Sequence, residues 1–228
     1  MKSEGAVAVL EGSGSAPAGR VEVRPLSLPE RALKRGLDIV VSAAGLVLLS
    51  PIMSLIALLV KVSGPGPVLY RWKVVGEGGR PFVGYKFRSM REDADALKAA
   101  LLARNEMTGP VFKMKDDPRV TAIGRHLRRC SLDELPQLWS VLKGDMSLVG
   151  PRPPLQSEYE RFAPWQKAKL LVRPGITCLW QVSGRSDVSD FDEWVRLDLE
   201  YARRRSLLLD LKIMAMTIPA VVRARGAR

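Results

Sequence analysis

The chain has 228 residues, 46% of them hydrophobic, enough for one compact domain plus a tail or membrane segment and too few for two independent enzymes. Its 36 Lys and Arg against 24 Asp and Glu give a formal charge of +12, which calls for an anionic partner such as nucleic acid, acidic lipid or a phosphorylated substrate. Two cysteines, Cys130 and Cys178, at no zinc spacing, and one histidine, His126, argue against a His/Cys metal centre or a disulfide framework, so free thiols are expected.

Residues 1–30 are rich in Gly, Ala, Ser and Pro without period and read as a disordered N-terminal arm. The arm lacks the basic start, apolar centre and small-residue cleavage site of a signal peptide in that order, so the apolar segment behind it is expected to be retained. From Ile39 to Val60 no residue is charged, and at about 1.5 Å per residue the stretch makes a helix of roughly 33 Å, long enough to cross a hydrocarbon core. Ser50-Pro51 stands at its midpoint. Proline there removes the hydrogen bond to the Val47 carbonyl and forces a kink, and the Ser50 hydroxyl is placed to take a freed carbonyl. Lys34 and Arg35 precede the segment while Lys61, Arg71 and Lys73 follow it, so the positive-inside bias points both ends to the cytoplasm. Residues 31–62 therefore read as a re-entrant membrane helix-break-helix. The alternative is a kinked transmembrane helix carrying an exported domain.

Residues 63–228 read as a small cytoplasmic domain of mixed α/β, mostly helical character, with short strands and interfacial amphipathic helices. Residues 68–75 and 82–87 form a β-hairpin around Gly76-Glu-Gly-Gly-Arg-Pro81 and bring Lys86 and Arg88 to its end. Helices are expected over 91–105 and over 121–129, and Leu179-Trp-Gln-Val-Ser-Gly-Arg185 reads as a short strand into a turn. The last helix, from Leu207 to Val222 with Arg223 and Arg225 behind it, has the character of an interfacial helix on acidic lipid, interrupted by Asp210 and Lys212.

Chemistry concentrates between residues 131 and 154. Ser131-Leu-Asp-Glu134 opens an apolar-periodic stretch and has the form of a capping box, which would make Asp133 and Glu134 structural. Adjacent carboxylates near a helix start can also divide labour, one ionised as nucleophile or metal ligand and the other handling a proton. Downstream, Pro151-Arg-Pro-Pro154 stiffens the backbone on both sides of Arg152, and a guanidinium mounted in this way suits a diphosphate. A surface salt bridge is the bland account of Arg152, as solvated charge is for Lys86 and Arg88. Asp198 and Asp210 lie among apolar neighbours and need a partner, for which Arg203, Arg204 and Arg205 are at hand, or a metal.

The order of these motifs resembles the bacterial sugar transferases, the monotopic phosphoglycosyl transferases that start exopolysaccharide, O-antigen and glycoprotein glycans. The resemblance covers about residues 31–222. It rests on Lys34-Arg-Gly-Leu-Asp38, Ser50-Pro51, Lys86-Phe-Arg-Ser-Met90, Ser131-Leu-Asp-Glu-Leu-Pro136, Gly144-Asp-Met-Ser-Leu-Val-Gly-Pro-Arg-Pro153, Arg173-Pro-Gly-Ile-Thr177 and Trp180-Gln-Val-Ser-Gly-Arg185. The chain looks like the short form, without the multi-span N-terminal region of larger members. The resemblance implies a re-entrant helix broken at Ser50-Pro51 and an active site on the cytoplasmic face of the bacterial inner membrane. It also implies an Asp-Glu dyad at Asp133 and Glu134, with Asp133 attacking the β-phosphate of a UDP-sugar, galactose or glucose, and polyprenyl phosphate accepting the phosphosugar after UMP leaves. Arg152, Arg88 and Lys86 would hold phosphate, and Mg²⁺ would sit on Asp133 with Asp198 as a weaker candidate ligand.

A non-catalytic basic membrane-anchored adaptor explains the charge and the anchor, but not adjacent carboxylates followed by a proline-locked arginine. Nucleic acid is not expected as a partner: the basic residues are scattered, and aromatics make up only 6% of the chain. The residues do not decide which sugar is carried or whether the chain works as a homo-oligomer.

Overall fold

The computed structural model describes residues 7–8, 21–183 and 189–222. The molecule is mostly helical, with three two-stranded sheets. The expected arm lies largely outside the described residues, as do Arg185, Arg223 and Arg225. Within it, β1 (Val7–Ala8) pairs antiparallel with β2 (Val21–Glu22). The folded unit also starts earlier than residue 31, because Val23 and Leu26 are buried and helix α1 (Leu28–Leu48) begins on a complete capping box. Ser27 Oγ accepts from the Glu30 amide while the Glu30 carboxylate takes the Ser27 amide. Ser27-Leu-Pro-Glu30 carries that signal in the sequence, where composition alone had suggested disorder.

Helix α2 (Ser50–Val62) follows after Leu49 at a bend of 61°. Pro51 occupies its first turn, and Ser50 Oγ donates to the Val47 carbonyl at 2.7 Å, as the sequence implied. Among the described residues no single helix is long and apolar enough to cross a membrane; the bent pair α1 and α2 meets that test together, by length and composition.

The hairpin forms as expected, β3 (Leu69–Val75) antiparallel to β4 (Pro81–Phe87), with Trp72 opposite Gly84 and Tyr70 opposite Lys86. Helix α3 (Ala94–Leu101) and helix α4 (Ala122–Arg129) follow, the latter capped by Thr121. A 3₁₀ turn, Leu132–Glu134, leads into α5 (Gln137–Lys143), which ends at Gly144 in the left-handed conformation. Strand β5 (Ser147–Val149), short helices α6 (Gln156–Tyr159) and α7 (Pro164–Lys167), and strand β6 (Gly175–Thr177) come next, β5 and β6 pairing in parallel.

Residues 179–182 form helix α8 (Leu179–Val182) rather than the expected strand. Trp180 is buried there and stacks on Trp194 of α9 (Phe191–Arg204), with ring centroids 4.2 Å apart, so packing of one aromatic side chain overrides β-propensity. The chain continues into α10 (Leu207–Val222).

Helix α1 is bolted to this body through residues that composition suggests are topological charges. Lys34 Nζ reaches Asp210 at 2.6 Å and the Val149 carbonyl at 3.1 Å. Arg35 donates to the Val141 and Leu142 carbonyls at the end of α5, both at 2.7 Å. Asp38 accepts from Ser147 Oγ and the Leu148 amide. Around these bonds lies a core of Val141, Met146, Val149, Val172 and Ile213; an aromatic core holds Phe162, Trp165, Trp180, Phe191 and Trp194. Ile56 and Val60 of α2 pack on Phe87 and Leu127 in a third.

Candidate active site

Asp133 and Glu134 sit on the 3₁₀ turn between α4 and α5, only 8% and 7% exposed. The capping box expected of Ser131 does not form. Ser131 makes no side-chain cap bond and adopts φ 54, the only positive φ of a non-glycine among the described residues. The turn it creates directs the two carboxylates into the wall of a cleft of about 440 Å³, lined by nine basic and six acidic side chains with eight aromatic ones. That excess of cations favours a multiply charged anion.

Glu134 Oε1 accepts from Lys86 Nζ at 2.8 Å and from Arg152 Nη1 at 3.2 Å. Lys86 arrives from β4, where its ammonium lies over the Trp72 ring at 4.2 Å. Burial pushes the Lys86 ammonium below the ordinary lysine range, against the pull of Glu134. Burial works against the Arg152 charge, but the groups around it, Glu134 foremost and Asp133 among them, together outweigh burial and hold the guanidinium above its usual range. Arg152 is mounted on Pro151-Arg-Pro-Pro154 directly after β5. A Cβ on Gly150 would collide with the Arg173 carbonyl, and one on Gly175 with the Gly150 amide, so two glycines let the strands close tightly beneath it. The Arg152 guanidinium thus meets Glu134, one of the two adjacent carboxylates singled out in the sequence.

Arg128 is a member that sequence reasoning passed over as ordinary helix charge. Its Nε donates to Ser89 Oγ at 2.9 Å, it lines the cleft, and its field is coupled to that of Asp133. The only available signal was its place on α4 three residues before Ser131. Lys169 was also missed. It lines the cleft while binding Asp198 Oδ2 at 2.6 Å.

Two candidates have structural partners. Arg88, expected on phosphate, is 7% exposed and gives its terminal nitrogens to backbone carbonyls: Val60 at 2.9 Å, Gly64 at 2.8 Å, and Pro65. It closes the C-terminal end of α2, where carbonyls lack helical partners, and ties that helix to the end of the hairpin. Asp198, a candidate metal ligand, is fully buried, pairs with Lys169 and does not line the cleft. Burial raises its carboxyl above the usual range despite Lys169. Neither Asp198 nor Asp210 pairs with Arg203, Arg204 or Arg205; their partners are Lys169 and Lys34. Burial raises the Cys178 thiol well above its ordinary value, which removes it as a nucleophile.

Residues 29–224 match the family described as Bacterial sugar transferase, and the chain belongs to that family. It is 47% identical over 195 residues to a galactosyl transferase, CpsE, of Streptococcus agalactiae, a stretch covering 86% of this chain and 43% of the relative. Over 201 residues it is 45% identical to an undecaprenyl-phosphate galactose phosphotransferase of Salmonella typhimurium, covering 86% of this chain and 42% of the relative. An exopolysaccharide production protein, ExoY, of Sinorhizobium fredii is 42% identical over 198 residues, 85% of this chain and 87% of the relative. The chain therefore spans less than half the length of the first two and most of the third.

Proposed function

We propose that the chain transfers a phosphosugar from a UDP-sugar, UDP-galactose or UDP-glucose, to polyprenyl phosphate and so begins a polysaccharide. The observation that carries this reading is the buried Asp133-Glu134 pair in the wall of a cationic cleft, with Glu134 clamped by Lys86 and Arg152. A carboxylate in that setting can attack phosphorus. Asp133 would bond to the β-phosphorus of the donor while the bond from that phosphorus to the bridging oxygen breaks, and UMP leaves. An oxygen of polyprenyl phosphate would then attack the same phosphorus and restore the Asp133 carboxylate, giving polyprenyl-diphospho-sugar. Lys86, Arg128 and Arg152 supply fixed positive charge where the phosphates must lie, and Glu134 keeps two of those cations in place.

Mg²⁺ is proposed to accompany the diphosphate. Among the described residues no three His, Cys, Asp or Glu side chains gather into a metal site, so protein alone does not cage an ion. Asp133 with substrate oxygens matches the preference of Mg²⁺ for one or two carboxylates plus phosphate, and the bound ion would offset charge on the departing nucleotide. Asp198 is left out of that set.

The enzyme is proposed to sit in the cytoplasmic face of the bacterial inner membrane through α1 and α2, entering and leaving on one side. The 61° bend and the exposed apolar residues Val40, Val47, Leu48, Leu55, Leu58 and Val62 support this. Release of UMP from UDP-galactose and UDP-glucose, by detergent-purified protein with polyprenyl phosphate and Mg²⁺, tests the activity. Asp133→Asn is expected to lower release by about 10⁴-fold. Undiminished release by that variant, or none from either donor with the native protein, would count against the reading and favour the adaptor.

A further inference from the structure

A second cavity, of about 230 Å³, shares Glu134 with the cationic cleft. Its walls include Leu132, Leu135, Leu138, Ile176, Val182 and Ala220. The polar side chains around it are largely bonded to one another or to neighbours. The Thr177 and Thr217 hydroxyls share a hydrogen bond of 2.7 Å, and Gln181 Oε1 accepts from Cys178 Sγ at 3.1 Å. What remains facing the space is mostly carbon.

Three observations say what occupies it. Glu134 belongs to the lining of both cavities, so a molecule with an anionic head and an apolar tail can have one part in each. One wall, Leu138, rests against Gly45 of α1, and the opposite wall, Thr217 and Ala220, belongs to α10; both helices carry exposed apolar residues, Val40 and Val47 on one, Leu211 and Ile218 on the other. The groove is therefore bordered by two helices that carry exposed apolar side chains. The charge also divides: cations crowd the first cavity, and among the described residues no Lys or Arg lines the second.

We infer that this groove, formed by the 132–138 segment, β6, α8 and α10, holds the first isoprenoid units of a long-chain isoprenoid phosphate whose phosphate lies in the cationic cleft. The inference rests on the proposed transfer, because it gives the tail of that reaction's acceptor a cavity of its own beside Glu134. Donor and acceptor would reach the dyad without competing for one space.

Cys130 is exposed at the rim of the groove and Cys178 is buried, so native protein reports occupancy by its maleimide reactivity. Farnesyl phosphate is expected to slow labelling of Cys130 at least fivefold, with little effect from inorganic phosphate or farnesol at the same concentration. Ala220→Trp, which fills the groove, should raise KM for the isoprenoid phosphate at least tenfold, leaving the single-turnover release of UMP in its absence unchanged. Labelling unaffected by farnesyl phosphate, protection equally strong with farnesol, protection that tracks protein concentration alone, or an unaltered lipid KM in Ala220→Trp would each overturn the assignment. The labelling readout needs no catalysis. Failure of UMP release with Cys130 still protected would count against the transfer alone, and release without protection would count against the groove alone.

Discussion

Ser131 is the residue on which the site turns. A serine at φ 54 costs of order 1–3 kcal/mol, and here that conformation aims Asp133 and Glu134 into the cleft. Ser131→Val should therefore lower the unfolding free energy by about 1–3 kcal/mol and reduce turnover, while Ser131→Gly, which adopts positive φ readily, should retain both in thermal melts and UMP-release assays. Lys86 sets a pH dependence. Its ammonium is lost as pH rises, and burial lowers the pH at which this happens, so donor binding that needs the charge should weaken below the ordinary lysine range. In Lys86→Arg the alkaline limb of 1/KM for UDP-sugar should move upward; an identical limb would show that Lys86 does not face the donor. The Lys169-Asp198 pair makes a stability prediction. Lys169→Met leaves a buried carboxylate without its counter-charge and should cost about 3–5 kcal/mol by denaturant unfolding, part of which Asp198→Asn in the same chain should restore.

Among elements, the hairpin, the break beside Ser50-Pro51 and helices α3 and α4 were legible because each follows from local chemistry: alternation around a glycine-rich turn, a proline in an apolar run, and apolar residues at helical spacing. The parallel pair β5 and β6 was not, since three-residue strands joined by a crossover have no periodicity to read and are fixed by the approach of Gly150 to Gly175. The site was legible to the extent that its members lie next to one another in sequence. Asp133, Glu134 and Arg152 announced themselves, while Lys169 and Arg128 enter only through tertiary contacts. The contacts of Arg88 with helix carbonyls were not legible, because a basic residue at a strand end looks the same in sequence with or without them, and Arg88 lines the cleft as well. Helix α1 gives the element-scale prediction: Lys34→Met and Asp38→Asn each sever a buried anchor to the catalytic body. Either should lower Tm and the rate of transfer to lipid more than any substitution of exposed Val47.

At the scale of the molecule, the exposed apolar side chains of α1, α2 and α10 and the cationic cleft lie on different elements of the described residues. Exposed Leu and Val on α1 and α2 and exposed Leu208, Leu211 and Ile218 on α10 lie on helices joined through the Lys34-Asp210 pair. The cationic cleft, by contrast, lies among β4, the 131–134 turn and the 151–155 loop. This arrangement is what the proposed function requires, an enzyme that stays at an interface and meets a lipid head group without crossing the bilayer. In sealed inverted vesicles, cysteines introduced singly at Ala32 and Ser63 in a Cys130→Ser background should both react with an impermeant maleimide; reaction at only one would make the pair a true span. The most direct test of the central claim is capture of the covalent phosphosugar. Purified protein incubated with UDP-galactose or UDP-glucose, without lipid acceptor, should gain the mass of one hexose phosphate on the peptide containing Asp133, and lose it on addition of polyprenyl phosphate. Transfer to lipid at full rate with no adduct at Asp133 would contradict the account.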